Sequence, residues 1–224
     1  GAAHHVKVMS GASGNTSEVT TSGLTTGGTL TVHASSFDAD DNYVNDVSVS
    51  WSVTGGIGTL DNSTGISTTL TATTPGTGQI TADHATLIDD ATGTITVNAG
   101  SLSYIKIVEG PSGDGTELGT KSMTADQTLT VHAAGYDASG NYLGDQTVTW
   151  GSTGSLAPEV SGSGTSITFS PTTAPASGTI TADHTTATDD ATGTISVSVG
   201  AAHHVKVMSG ASGNTSEVTT SGLT

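Results

Sequence analysis

The sequence predicts an all-β chain, and three features of its 224 residues carry that prediction. Apolar residues alternate with Ser and Thr in stretches such as Leu30-Thr31-Val32, Val47-Ser48-Val49-Ser50-Trp51 and Ile195-Ser196-Val197-Ser198-Val199, the two-residue period of a strand with one buried face. The 44 threonines suit the solvent face of a pleated sheet, and the 31 glycines with scattered Asn and Asp supply turns. No window carries the amphipathic period of a helix.

Leu, Ile, Val and Phe make up only 41 residues and the formal net charge is −16, a composition that in other chains accompanies disorder. The strand period argues against disorder, because an unfolded acidic chain has no reason to keep it. Four Lys, no Arg and 20 acidic residues also exclude nucleic acid as a partner, since such a surface repels phosphates. The absence of Cys removes disulfides and thiolate metal sites. With no signal peptide, no membrane span in this segment and no initiator Met, the sequence reads as a stretch of a longer polypeptide whose export signals lie elsewhere.

An internal repeat sets the organisation. At a shift of 99 residues, Gly1–Trp51 falls on Gly100–Trp150: "VKVMSGASGN" matches "IKIVEGPSGD", "TLTVHA" recurs unchanged, and "FDADDNYVNDVSVSW" matches "YDASGNYLGDQTVTW". After one inserted residue the shift becomes 100, and "ITADH" and "DDATGTI" recur. Gly200–Thr224 then repeats Gly1–Thr25 letter for letter, at a shift of 199. The expected domains are module A (1–99), module B (100–199) and the first strands of a further A module (200–224), so the larger repeat is an A–B pair.

Seven strands are expected in module A, at about 4–9, 16–25, 28–37, 46–54, 66–73, 77–86 and 91–98, each an alternating run between turn clusters. In the first, Val6 and Val8 point inward and Lys7 outward. A single Trp follows the hairpin at Asn42, and another the hairpin at Asn141. Seven short strands in about 100 residues with a central Trp predict tandem immunoglobulin-like β-sandwiches. The stretch "AAGYDASGNYLGDQTVTW", with the later "SGTITADH" and "ATGTISVSV", resembles the bacterial immunoglobulin-like domains found in tandem in invasin/intimin-type adhesins and other large surface proteins. Module A departs from the hairpin signature Tyr136-Asp137-Ala138-Ser139-Gly140-Asn141 with Phe37 for Tyr and Asp40-Asp41 for Ser-Gly. The resemblance implies an extracellular spacer or adhesive stalk at the cell surface.

The hairpin Asp38-Ala39-Asp40-Asp41-Asn42, with Asp46 nearby, sets oxygen atoms at alternate positions, as calcium requires. The expected ligands are Asp38, Asp40, Asn42 and Asp46, with Ca2+ the only ion expected and no cofactor required. Module B keeps Asp137, Asn141 and Asp145 but has Ser139 and Gly140 between them. The same residue types are also what a tight turn needs. A second acidic cluster, Asp83-His84 with Asp89-Asp90, is mirrored by Asp183-His184 with Asp189-Asp190; it belongs to the hairpin between the last two strands. No Ser sits in a G-x-S-x-G elbow, so no catalytic residue and no enzyme is expected.

His4-His5 and His203-His204 belong to the repeat and are expected to contact a neighbouring module, while His33 and His132 are expected to be exposed. Lys7, Lys106 and Lys206 sit where some stalk domains form a crosslink to Asn; Asn98 fits in module A, but module B has Ser198 there. Asn15, Asn62 and Asn214 head N-glycosylation triplets. The function expected is a structural repeat segment forming a stalk, tether or fibre, with neighbouring modules of the same chain as partners and other copies in a filament as further ones. The alternative is an adhesive module, calcium-stiffened, recognising a glycan or surface protein, with Tyr43 and Tyr142 as its exposed aromatic pair.

Overall fold

The computed structural model describes residues 1–14, 16–113, 115–203, 205–209 and 217. The first module contains β1 (His5–Met9), β2 (Ser22–Thr25), β3 (Thr29–Phe37), β4 (Tyr43–Asp46), β5 (Val49–Val53), β6 (Gly58–Leu60), β7 (Thr64–Gly65), β8 (Ser67–Ala72), β9 (Gly76–Gly78), β10 (Ile80–Asp83), β11 (Asp90–Ala91) and β12 (Ile95–Asn98). The second contains β13 (Leu102–Val108), β14 (Lys121–Thr124), β15 (Leu129–Asp137), β16 (Tyr142–Asp145), β17 (Val148–Ser152), β18 (Gly162–Gly164), β19 (Ser166–Phe169), β20 (Ala176–Gly178), β21 (Ile180–Asp183), β22 (Asp190–Ala191) and β23 (Ile195–Ser198). Among the described residues no helix is long and apolar enough to cross a membrane.

Three sheets enclose each core. In the first module they run β1-β3-β8-β6 with β4 on β3, then β11-β10-β5-β7, then β2-β12-β9; the second repeats them as β13-β15-β16 with β19 on β15, β18-β17-β21-β22, and β14-β23-β20. Among the described residues no strand pairs across the two sets. The chain is thus all-β and built of immunoglobulin-like sandwiches, each with its own apolar cluster, one around Val8, Trp51, Leu70, Ile80 and Ile95, the other around Ile107, Trp150, Phe169, Ile180 and Ile195. Val6 and Val8 are buried and Lys7 faces outward over the Phe37 ring, as the alternation requires. Both indoles donate Nε1–H to a backbone carbonyl, Trp51 to Gly65 and Trp150 to Gly164, at 3.0 Å each.

The expected strand over 46–54 is two strands. β4 pairs with β3 and β5 pairs with β10, so the chain changes sheet at Val47-Ser48 while its alternation runs on unbroken. The expected strand over 77–86 likewise breaks at Gln79, whose N–H goes to Thr54 Oγ1 at 3.0 Å. The expected 16–25 strand is only β2, which runs parallel to β12, because Glu18 is spent on an isolated bridge to Met9. His33 and His132 are half-buried on the strands instead of exposed, and His132 Nδ1 lies 3.6 Å from Asp145.

In the last segment, Val205 and Val207 are 94% and 71% exposed, whereas their copies Val6 and Val8 are 2% and 0%. Among the described residues no sheet covers these valines. The local pairing survives nonetheless: Met208 bridges Glu217, and Lys206 lies 3.0 Å from Glu217.

Candidate functional site

β3 and β15 each run into a tight hairpin at the end of the module where the chain comes in. The hairpin needs a left-handed residue at its fourth position, which is Gly140 in the second module (φ 84) and Asp41 in the first (φ 64). Asp is among the few non-glycine residues that tolerate that region. The preceding Asp closes the turn. Asp137 Oδ1 accepts the N–H groups of Ser139 and Asn141, both at 2.9 Å, and Asp38 Oδ1 accepts those of Asp40 (3.0 Å) and Asn42 (2.9 Å).

The second oxygen of Asp137 reaches the other module. It accepts the Thr26 hydroxyl at 2.6 Å and the Gly100 N–H at 3.0 Å, and Gly100 N–H also points at Thr26 Oγ1 at 2.8 Å. Asn141 Nδ2 donates both to Asp137 and to the Thr73 carbonyl of the first module, at 3.0 Å each. Asp137 is 1% exposed. Burial by itself would raise its pKa, but the Thr26 hydroxyl and the amides of Asn141 and Gly100 hold it well below the ordinary 3.8. The joint is therefore a closed knot of donors on one buried carboxylate, with a linker too short to move freely.

A group whose folded pKa is depressed stabilises the fold above its unfolded pKa and loses that contribution as the pH falls towards the folded value. The melting difference between wild type and Asp137→Asn should accordingly be constant above pH 3.8, the ordinary carboxyl value, and shrink below it. Melting curves across that range check this.

The ligands expected for calcium fall into two groups. Asp38 is buried, takes Asn42 Nδ2 at 3.1 Å, and has the Gly1 nitrogen 2.9 Å from its Oδ2, where Asp137 has Gly100. The Asn42 N–H first, then the Asp40 N–H and the Asn42 side-chain amide, hold its carboxyl well below the usual range. Asp46 makes separate contacts, accepting from Ser35 Oγ (2.7 Å), Ser13 N–H (3.0 Å) and Tyr43 OH (3.3 Å), and Asp40 is exposed. Among the described residues no three His, Cys, Asp or Glu side chains converge as a metal centre would need.

Tyr43 and Tyr142 lie against the backbone of Gly14 and Gly113, both in the left-handed region, where a Cβ would run into the ring. Tyr142 OH donates to Asp145 at 2.7 Å; burial, then this bond, push its pKa up to about 12. In the other acidic cluster, His84 Nδ1 accepts the N–H groups of Thr86 and Leu87, and Asp89 accepts the His84 N–H at 2.7 Å. His184 and Asp189 repeat this, so the Asp-His pairs fasten a turn. His5 pairs with Asp41 and stacks on Phe37, and Lys7 pairs with Asp41 at 3.1 Å. Asn15, His204 and Asn214 lie outside the described residues.

Sequence reading missed Thr26. The available signal was the contrast between modules, which keep Asp38 and Asp137 at the same place but differ at Thr26 and Ala125.

No protein-family model and no curated protein sequence matches the chain. It is similar in fold to solved adhesin structures: FdeC of Escherichia coli (18% identity, TM-score 0.38, 89% of this chain and 65% of that one) and InvE of Yersinia pseudotuberculosis (16%, 0.32, 80% and 57%). It is similar also to domains 4 and 5 of the S-layer protein SbsC (17%, 0.29, 88% and 99%). The chain spans less than two thirds of the FdeC and InvE chains. At these identities and TM-scores the likeness assigns no activity.

Proposed function

We propose that the chain is a structural segment of a long extracellular array, a stalk or tether at the cell surface that works by reach and stiffness and carries no enzymatic activity. The observation that carries this reading is the joint at Asp137, where the hydroxyl of one module and the hairpin of the next share a buried carboxylate across a linker of a few residues. A chain built to let its domains move independently would have a longer, solvated connection. The tyrosines that an adhesive reading would use for stacking are each tied to their own loop. Neighbouring modules are the partners on this reading, with other copies of the chain as lateral partners in a filament. Antibody to module B, applied to intact cells and visualised by immunogold microscopy, should label material outside the cell and away from the envelope; label found only after permeabilisation would overturn the proposal.

Calcium at Asp38, Asp40, Asn42 and Asp46 is a separate proposal with its own test. Binding would add a cation to a strongly acidic chain and draw exposed Asp40 into the hairpin. Added calcium should then raise the melting midpoint of module A and chelator reverse it, and an unchanged midpoint removes the ion.

A further inference from the structure

The two modules end differently. The turn between β2 and β3 is Thr26-Gly27, and the same turn between β14 and β15 is Ala125-Asp126. Its backbone is retained, since Ala125 N–H meets the Ser198 carbonyl at 3.0 Å as Thr26 N–H meets that of Asn98 at 2.9 Å. The hydroxyl is lost and a carboxylate is gained. Asp126 Oδ2 accepts the N–H of Ala201 at 3.0 Å, and a Cβ on Gly200 would collide with that carboxylate.

The receiving side is the same for both modules, because the Gly1 nitrogen meets Asp38 as Gly100 meets Asp137. Since Gly200–Thr224 repeats Gly1–Thr25, an A module beginning at Gly200 would bring its own copy of Asp38 to the Gly200 N–H while Asp126 holds that of Ala201. Two carboxylates would then meet on neighbouring amides with no hydroxyl between them. Like charges at such range repel, and salt weakens the repulsion.

We propose that the A–B pair is the stiff unit of the array and that the face of module B around Ala125 and Asp126 receives the next A module through a looser, salt-sensitive joint, so that bending is concentrated at every second junction. This rests on reading the chain as part of an array. The test uses a chain carrying residues 1–199 twice in series, with spin-label pairs placed across the A–B joint or across the B–A joint and distances read by double electron–electron resonance. The A–B distribution should be narrow at all salt concentrations, and the B–A distribution broad at low salt and narrower at high salt. Thr26→Ala, which gives module A the residue of module B, should lose the narrow A–B distribution. Thr31→Ala, which removes an exposed hydroxyl paired only with Thr69 at 3.0 Å, should keep it. Equal widths at the two joints, or an unchanged A–B width in Thr26→Ala, would overturn the proposal. Either result is independent of where the array lies relative to the cell, so the immunogold experiment can fail without it.

Discussion

Replacing Trp150 with Ala should lower the melting transition of module B and leave that of module A in place. Trp150 is 2% exposed and sits in one cluster with Ile107, Phe169, Ile180 and Ile195. Removing it leaves a cavity among residues held by three different sheets, which cannot all close on it, and orphans the Gly164 carbonyl that accepts its Nε1–H. Loss of a buried Trp costs about 3–5 kcal/mol, and for a domain of this size each kcal/mol lowers the midpoint by roughly 4–8 °C. A fall of at least about 12 °C is therefore expected. Module A keeps its own core around Trp51 and among the described residues shares no strand with module B, so calorimetry should resolve two transitions of which only one moves. Fluorescence assigns them, because Trp51 becomes the single remaining indole. A common shift of both transitions would show that the two cores unfold as one.

Asp137→Ala should be the most damaging change outside a core. Five donors lose this acceptor together: the Ser139 and Asn141 N–H groups, the Asn141 side-chain amide, the Gly100 N–H and the Thr26 hydroxyl. Each buried donor left unmatched costs about 1–3 kcal/mol, less where water reaches it. Two effects should separate. The hairpin donors destabilise module B, while the loss of Gly100 and Thr26 contacts frees the joint. Thr26→Ala should produce the second effect alone, so the melting midpoint of module B distinguishes the variants and the inter-module motion does not. A wild-type midpoint for Asp137→Ala would mean that the hairpin closes without its carboxylate.

Much of this architecture is legible in the sequence because strand burial writes a two-residue period that Thr and Ser make visible. That period carries the fold class, the inward Val6 and Val8 and the outward Lys7, and it is blind to changes of sheet. At Val47-Ser48 the chain leaves the partner of β3 for that of β10 without breaking alternation, and at Gln79 the break is made by a side-chain hydroxyl far away in sequence. The spacing of the hairpin carboxylates marks them as functional candidates, but local spacing cannot show what lies opposite them. Asp137 meets a residue 111 positions earlier in another module, a relation that no local motif encodes. Half-burial of His33 and His132 escaped for a similar reason, since the neighbours that cover a strand's outer face come from elsewhere in the chain.

Modules A and B are expected to move as one body, which residual dipolar couplings of the backbone amides in the 224-residue chain can test. Couplings from the described strands of both modules should fit a single alignment tensor with the relative orientation of the structure, and Thr26→Ala should split them into two. Two independent tensors of different magnitude in the wild-type chain would mean that the modules move separately.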